Sequence, residues 1–364
     1  MNNAQRLHDL GQSVWLDNLS RELLDDGTLA RYVRDFALTG LTSNPTIFDK
    51  AIAHTPLYND TIHRAGRECQ SDEAVFFDLA LEDLGRAAAL FRPAFDASSG
   101  ADGWVSLEVS PLLARDTAGT IDQVRALHAR ASFPNLYIKI PGTPEGIPAI
   151  EECVFQGIPI NVTLLFSVEQ YLAAAGAYIR AVERRLAVGA TQPVHSVASL
   201  FVSRWDKAVN DKVPEPLRNC LGIAIAHRTY RAYRALLQSP SWQRLADAGA
   251  PAQRLLWAST GTKDPAASDV LYVEALVAPD TIDTMPDATL LAFADHGRVA
   301  GTLDADGGND AQVLDQFQSN GVDTAALAEK LQRDGAQSFV ESWKSLLARI
   351  ADKRTGRSAP SRAA

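Results

Sequence analysis

Short apolar runs of strand length alternate with longer segments of helical period along almost the whole chain. This alternation is typical of α/β proteins, in which crossover helices pack on a parallel sheet. The runs predict eight strands, at residues 13–17, 39–45, 104–111, 136–143, 158–166, 195–203, 254–260 and 271–279.

The segments between the runs have the periodicity of amphipathic helices. In residues 168–187 one face at steps of three and four residues carries Tyr171, Ala175, Tyr178, Val182 and Leu186. A second helix follows Leu81 and is predicted to end near Pro93.

Eight strand and helix repeats without a break in composition predict a single closed (β/α)8 TIM barrel with extra helices over residues 1–351. Phosphate-loop and dinucleotide-binding fingerprints are missing from the sequence, which disfavours the alternative of an open doubly wound sheet. The small, basic and polar residues 352–364 predict a flexible tail.

Composition excludes several classes of function. The 364 residues carry a formal charge of −9 without a basic stripe, which argues against nucleic acid as a partner. No apolar run has the roughly 18 residues of a membrane helix, and the N-terminus lacks a signal-like segment, so we expect a cytoplasmic protein. Neither a disulfide framework nor a metal site is expected, because the seven histidines lack ligand spacing and the cysteines are widely separated, at Cys69, Cys153 and Cys220.

Polar residues share one parity near the ends of the predicted strands. Barrel strands direct alternate side chains inward, and inward residues at the carboxyl ends of the strands face the active site. One mouth of the barrel is therefore predicted to gather Asp17, Asn44, Ser106, Glu108, Lys139, Asn161, Thr163, Ser199 and Arg204.

The most unusual position is Lys139, which lies between Ile138 and Ile140 in a run that reads as buried. Burial disfavours the charged form of an amine, and the neutral amine can attack a ketone or aldehyde to give a Schiff base. The structural alternative is a buried ion pair with Glu108. A pyridoxal phosphate enzyme also buries a lysine, so Lys139 alone does not decide the chemistry.

Other members of the set also have structural alternatives. Asp17 can cap the helix predicted after it, and Asn44 before Pro45 is a turn signal. Arg204 can pair with Asp206 or cap a helix. The joint occurrence of these residues is what indicates a catalytic mouth.

Schiff-base chemistry also needs a proton acceptor for bond cleavage and a polar pair that holds a water molecule. Asp17 can serve as the acceptor. Glu108 and Thr163 can hold a water beside Lys139. Placing acids on the strands next to the lysine favours direct imine formation with a sugar carbonyl.

Seven segments in this order closely resemble the transaldolase family, in its longer-chain bacterial branch, between about Leu10 and Leu347: VWLDNLSRELL, GLTSNPTIF, VSLEVSP, NLYIKIPGTPEG, INVTLLFS, VHSVASLFVSRWD and LLWASTGTKDP. The resemblance implies a barrel circularly permuted relative to other class I aldolases, with the Schiff-base lysine on the fourth strand. Lys139 lies on the fourth predicted strand. Gly142 is a small departure, since many relatives have alanine there.

The resemblance also implies a role for each residue. Asp17 would act as acid and base on the C4 hydroxyl of the donor, while Glu108 and Thr163 would position the catalytic water. Arg204 would bind the sugar phosphate. After the seventh strand the better-studied branch has an arginine that this chain lacks, and Ser259 and Lys263 are the nearest substitutes. The hydroxyls of the dihydroxyacetone unit would be bound by Asn44, Asn161 and Ser199.

The implied activity is transfer of a dihydroxyacetone unit from sedoheptulose 7-phosphate to glyceraldehyde 3-phosphate, without a cofactor, in the non-oxidative pentose phosphate pathway. The products are erythrose 4-phosphate and fructose 6-phosphate. One rival is a fructose 6-phosphate aldolase, a shorter enzyme that by resemblance has tyrosine in place of Glu108. Another rival is a non-catalytic binding or scaffold barrel. Whether the chain is a monomer or a homodimer stays open.

Overall fold

Parallel strands close into a barrel in the order of the sequence in the computed structural model, which describes residues 2–67 and 71–355. Within these residues the barrel is closed where the first strand pairs with the eighth, Ser13 opposite Ile282. The arrangement confirms the predicted (β/α)8 barrel; the circular permutation stays a prediction. The strands are β1 Ser13–Leu16, β2 Leu38–Thr42, β3 Val105–Glu108, β4 Leu136–Pro141, β5 Ile160–Leu165, β6 Ser196–Phe201, β7 Arg254–Ala258 and β8 Thr281–Met285.

Helices surround the barrel and, at the end of the chain, cross its mouth. In chain order the α-helices of the described residues are α1 Asn3–Asp9, α2 Arg21–Asp25, α3 Thr28–Phe36, α4 Pro45–His54, α5 Asn59–Arg67, α6 Asp72–Ala97, α7 Thr117–Arg130, α8 Gly146–Phe155, α9 Val168–Ala187, α10 Ser203–Val209, α11 Leu221–Leu237, α12 Pro240–Asp247, α13 Leu271–Ala275, α14 Asp287–His296, α15 Asp310–Ser319 and α16 Thr324–Thr355. None of them combines the length and the apolar character that a membrane crossing requires.

The predicted eighth strand is wrong. Residues 271–279 form the short helix α13 and the loop after it, and their apolar side chains pack into the core outside the barrel. The eighth strand is Thr281–Met285, whose sequence TIDTM contains the buried polar residues Asp283 and Thr284. A search for apolar runs does not find such a strand, because three of its five buried side chains are polar.

The predicted bounds of the second helix, after Leu81 to near Pro93, are also wrong, since α6 begins at Asp72 and continues to Ala97. Proline removes the hydrogen bond to the carbonyl four residues earlier, here that of Ala89. Pro93 and Ala89 are both exposed, so water can satisfy this carbonyl. The helix predicted over residues 168–187 is confirmed as α9.

The end of the chain and the cysteines are described only in part. Helix α16 continues to Thr355, four residues past the predicted boundary at 351, and residues 356–364 lie outside the described residues. Cys153 and Cys220 have free thiols. Cys69 also lies outside the described residues.

The barrel interior is layered, and this layering leaves one end open for polar groups. Four strands place a large apolar or aromatic side chain inside, two positions before a polar residue of the mouth. The lower layer contains Trp15, Tyr137, Val197 and Ile282. Inward-facing residues of one strand alternate, so the same parity brings Asp17, Lys139, Ser199 and Thr284 to the layer above.

Helix α16 lies across the carboxyl ends of the strands and ties two of them together. The side-chain amide of Gln332 donates to the carbonyl oxygens of Gly142, after β4, and Leu164, in β5, at 2.9 and 3.0 Å. Other parts of α16 pack against α4, α5 and α6. The last helix of the chain is therefore part of the mouth.

Candidate active site

A cavity of about 870 Å³ opens at the carboxyl ends of the barrel strands. Two of the ten residues to which the resemblance assigns a role, Glu108 and Asn161, do not line it but are buried directly against residues that do. The other eight line the cavity: Asp17, Asn44, Lys139, Thr163, Ser199, Arg204, Ser259 and Lys263. The structure thus brings all ten together at one end of the barrel.

Lys139 is buried and borders this cavity. Its Nζ lies 3.2 Å from Glu108 Oε2 and donates to the carbonyl oxygen of Ser43 at 3.0 Å. The ion pair with Glu108 therefore exists, as the structural alternative expected. It does not close the site, because the lysine still faces an open volume large enough for a sugar.

Glu108 and Thr163 have unsatisfied hydrogen-bonding capacity beside the lysine. The Oε1 of Glu108 and the Oγ1 of Thr163 are buried without a hydrogen-bond partner among the described residues, whereas the Oε2 of Glu108 has the ion-pair contact with Lys139. Desolvation raises the pKa of Glu108, and the nearby Lys139 opposes this shift. Buried polar groups of this kind are usually satisfied by water or ligand, which fits the prediction that they hold a water here.

Asp17 follows β1 and is anchored to the barrel wall. Its backbone N–H donates to the Met285 carbonyl at 2.7 Å, and its Oδ1 accepts from Thr42 Oγ1 at 2.7 Å. Desolvation raises the pKa of Asp17, while Lys139 acts in the opposite direction. The alternative of a helix cap is excluded, because Ser20 caps α2.

Asn44 and Asn161 are held by different means. Asn44 caps α4, where its side chain accepts from the Ile47 N–H at 3.1 Å, so it has a structural role as a helix cap in place of the predicted turn, and it also lines the cavity. Asn161 accepts from Ser199 Oγ at 2.7 Å and donates to Ser106 Oγ at 3.2 Å. These bonds fix the orientation of the Asn161 amide and of the Ser199 hydroxyl.

Two residues of the mouth have left-handed backbone conformations that non-glycine residues rarely adopt. Leu164 has φ of 58°, at a break in the β5–β6 register, and its carbonyl is the one that Gln332 holds. Ser259 also has φ of 58°, and its hydroxyl is 2.9 Å from that of Ser203. Such strain persists only where the surroundings enforce it, and it concentrates at functional sites.

Arg204 lines the cavity and lies beside two aromatic rings. Its guanidinium carbon is 4.9 Å from the centre of the Phe201 ring and 5.8 Å from that of Phe339. Pairing with Asp206 is excluded, because that carboxylate accepts from the Leu221 and Gly222 N–H groups and from Tyr272. Desolvation lowers the pKa of Arg204.

Similarity to known proteins decides the family of this barrel. The family model described as Transaldolase/Fructose-6-phosphate aldolase matches residues 14–350. The chain belongs to this family. It is 44% identical to "Transaldolase" of Thiobacillus denitrificans, over 96% of this chain and 100% of that protein. Identity is 45% to "Transaldolase" of Parafrankia sp. (94% and 95% covered) and 44% to that of Thermobifida fusca (96% and 97%).

The sequence did not predict a group of lysines that surrounds the mouth of the barrel. Outside the predicted set, the cavity is also lined by Lys50, Lys207, Lys212 and Lys330. Of these four, only Lys330 forms an ion pair with a described residue, Asp334. The cations stand out against a chain of net charge −9 and favour an anionic ligand. They come from separate helices and loops, so no local motif shows them.

Two further sets of residues at the mouth were not predicted from the sequence, for different reasons. Thr284, which contacts Thr42 at 2.8 Å between Oγ1 atoms, was hidden by the wrong eighth strand. Gln332, Gly335 and Phe339 belong to α16, and no signal in the sequence connects this helix to the mouth.

Proposed function

We propose that this chain is a transaldolase that uses Lys139 as its Schiff-base nucleophile. It transfers a dihydroxyacetone unit from sedoheptulose 7-phosphate to glyceraldehyde 3-phosphate, in the cytoplasm and in the non-oxidative pentose phosphate pathway. The observation that carries the proposal is the buried Lys139 amine, which borders a cavity with Glu108 at 3.2 Å. Curated relatives of nearly the same length are named transaldolases, which supports the same reaction here.

Imine formation begins with the neutral amine of Lys139, which forms a bond from Nζ to C2 of the ketose. Glu108 is close enough to accept a proton from the amine, since its Oε2 lies 3.2 Å from Nζ. The carbonyl oxygen leaves as water after it has received two protons, one passed on from the amine by Glu108 and one taken from solvent. The Oε1 of Glu108 and the hydroxyl of Thr163, which have no hydrogen-bond partner among the described residues, would hold that water.

Carbon–carbon cleavage follows at the iminium. Asp17 takes the proton of the C4 hydroxyl, the C3–C4 bond breaks, and its electron pair moves into the iminium to give an enamine on Lys139. Erythrose 4-phosphate leaves as the aldehyde. The raised pKa of Asp17, caused by desolvation, favours a carboxylate that exchanges this proton readily.

Transfer reverses these steps on a new acceptor. The enamine carbon attacks the aldehyde of glyceraldehyde 3-phosphate, and Asp17 returns its proton to the oxygen that becomes the C4 hydroxyl. Water then hydrolyses the iminium, which releases fructose 6-phosphate and restores Lys139. Arg204 and the lysines of the mouth bind the phosphate, and the guanidinium fork suits this role.

The amides and hydroxyls of the site would orient the sugar. Asn44, Asn161 and Ser199 bind the hydroxyls of the dihydroxyacetone unit. Ser259 and Lys263 complete the phosphate site after β7, where both residues line the cavity. Desolvation lowers the pKa of Lys263, which also indicates a position partly shielded from water.

A coupled assay tests the proposal directly. With sedoheptulose 7-phosphate and glyceraldehyde 3-phosphate we expect equal amounts of erythrose 4-phosphate and fructose 6-phosphate. Incubation with fructose 6-phosphate alone should release little free dihydroxyacetone. Abundant release would instead indicate a fructose 6-phosphate aldolase, and no reaction in either assay would favour a binding or scaffold protein.

A further inference from the structure

Gly335 of α16 lies where a side chain of any size would displace Arg204. A Cβ built at this position would be 2.9 Å from Arg204 Nη1 and 3.0 Å from Leu164 Cδ2. Ordinary contacts of a Cβ begin at about 3.4 Å, so both neighbours are too close for alanine without movement. Gly335 and Arg204 both line the cavity.

The two neighbours differ in how easily they move. Leu164 is fully buried, and the backbone around it is held by the bond from Gln332 to its carbonyl. The Nη1 atom of Arg204 is the end of a flexible side chain, and the guanidinium forms no ion pair with a described residue. A methyl group at position 335 would therefore shift the guanidinium rather than Leu164.

The aromatic groups beside Arg204 also involve α16. Phe339 follows Gly335 by one helical turn, and its ring centre lies 5.8 Å from the guanidinium carbon. Phe201 approaches to 4.9 Å on the same measure. Stacking on aromatic faces restrains an arginine but leaves its N–H donors free for a ligand. Helix α16 thus contributes two features beside the guanidinium: the space left by Gly335, which has no side chain, and the ring of Phe339.

We propose that Gly335 is a positioning residue that sets the location of the Arg204 guanidinium, and through it the affinity of the site for phosphorylated sugars. The inference rests on the proposed function, in which Arg204 binds the sugar phosphate. A bidentate contact depends on the direction of both donors as well as on distance. In Gly335→Ala, the guanidinium must move until its distance from the new Cβ rises from 2.9 Å to 3.4 Å, and this movement would change the direction of its donors.

The test compares Gly335→Ala with a matched substitution elsewhere. Gly176→Ala is also a helical glycine facing an arginine, since its Cβ would be 3.2 Å from Arg180 Nη1. Arg180 pairs with Glu151 instead of lining the cavity, so this control reproduces the chemistry of the substitution away from the mouth. Steady-state kinetics with fructose 6-phosphate and competition by inorganic phosphate give the readouts.

We expect Gly335→Ala to raise KM for fructose 6-phosphate and the inhibition constant for inorganic phosphate roughly tenfold, the loss of about one charge-assisted hydrogen bond. The value of kcat should stay within about twofold, because the affinity for substrate is what changes. Gly176→Ala should leave all three constants unchanged. Added to Arg204→Ala, the glycine substitution should have no further effect, as a double-mutant cycle requires for coupled residues.

Two outcomes would overturn the inference and separate it from the proposed function. If Arg204→Ala raises KM but Gly335→Ala leaves KM and the phosphate inhibition constant unchanged, Gly335 does not position the arginine and the phosphate role of Arg204 stands. If Arg204→Ala changes neither constant, the phosphate assignment itself fails. If Gly335→Ala does not fold, Phe339→Leu tests the same surroundings of Arg204. We expect a raised KM for fructose 6-phosphate, and an unchanged KM would contradict the inference.

Discussion

Replacing Gln332 by leucine should damage both the stability and the turnover of the enzyme. Leucine keeps most of the volume but donates no hydrogen bond, so the carbonyl oxygens of Gly142 and Leu164 lose the partner that holds them at 2.9 and 3.0 Å. Leaving a buried acceptor unsatisfied costs about 1–3 kcal/mol. Two such acceptors give an expected loss of about 2–6 kcal/mol in the free energy of unfolding.

The kinetic effect follows from the position of Leu164 next to Thr163. The left-handed conformation of Leu164 is strained, and the bond from Gln332 is one of the contacts that enforce it. When this bond is lost, Thr163 should no longer hold water at a fixed place beside Lys139. We expect kcat to fall roughly tenfold or more, since a small misplacement of catalytic groups is costly.

Urea unfolding followed by tryptophan fluorescence, together with steady-state kinetics, checks both effects. Gln337→Leu is the matched control, because Gln337 is exposed on the same helix and bonds only to Glu341 at 3.3 Å among the described residues. The control should change the free energy of unfolding by no more than about 0.5 kcal/mol. If Gln332→Leu behaves like this control in both measurements, the strand ends do not depend on α16.

Two further predictions concern buried carboxyl groups. Asp17→Ala should abolish turnover but still allow borohydride to trap the imine with fructose 6-phosphate, because Asp17 acts only after the imine has formed; failure to trap it would mean an earlier role. Burial raises the pKa of Asp283 to about 7, so the native state keeps a proton that the unfolded chain releases from about pH 4. The unfolded state then binds fewer protons, and stability falls as the pH rises through this window, by up to about 4 kcal/mol. Asp283→Asn should remove this dependence and be more stable than the wild-type protein at pH 8, measured by urea unfolding at pH 4.5 and pH 8.

The Asp283 result would be contradicted by parallel stability profiles of the variant and the wild-type protein across this pH range. A variant less stable than the wild-type protein at pH 8 would show that burial does not penalise the charged carboxylate, which accepts from Thr260 Oγ1 at 2.8 Å.

Local pattern is enough to predict most of the barrel and the inner part of the site. Seven of the strands are apolar runs, and the parity of Glu108, Lys139, Asn161 and Thr163 within them places these side chains inward. The parity argument works because a strand has a fixed period of two residues, whatever its neighbours are. The search for apolar runs does not find the eighth strand, since Thr281–Met285 is buried although most of its residues are polar.

The contribution of α16 could not be predicted in the same way. Gln332 and Gly142 are 190 residues apart in sequence, and an amide in a helix is more often exposed than bonded to two strand ends. From sequence alone, Gly335 is only a residue that destabilises a helix. The structure shows the guanidinium of Arg204 beside it. Long-range contacts of this kind depend on where the whole helix packs, which periodicity alone does not specify.

The most direct test of the account is borohydride reduction in the presence of fructose 6-phosphate, followed by mass mapping of peptides. We predict a single reduced sugar adduct on Lys139, absent from a folded Lys139→Ala variant that has also lost turnover. An active enzyme without any adduct, or with the adduct on a lysine of the mouth such as Lys263, would contradict the central claim.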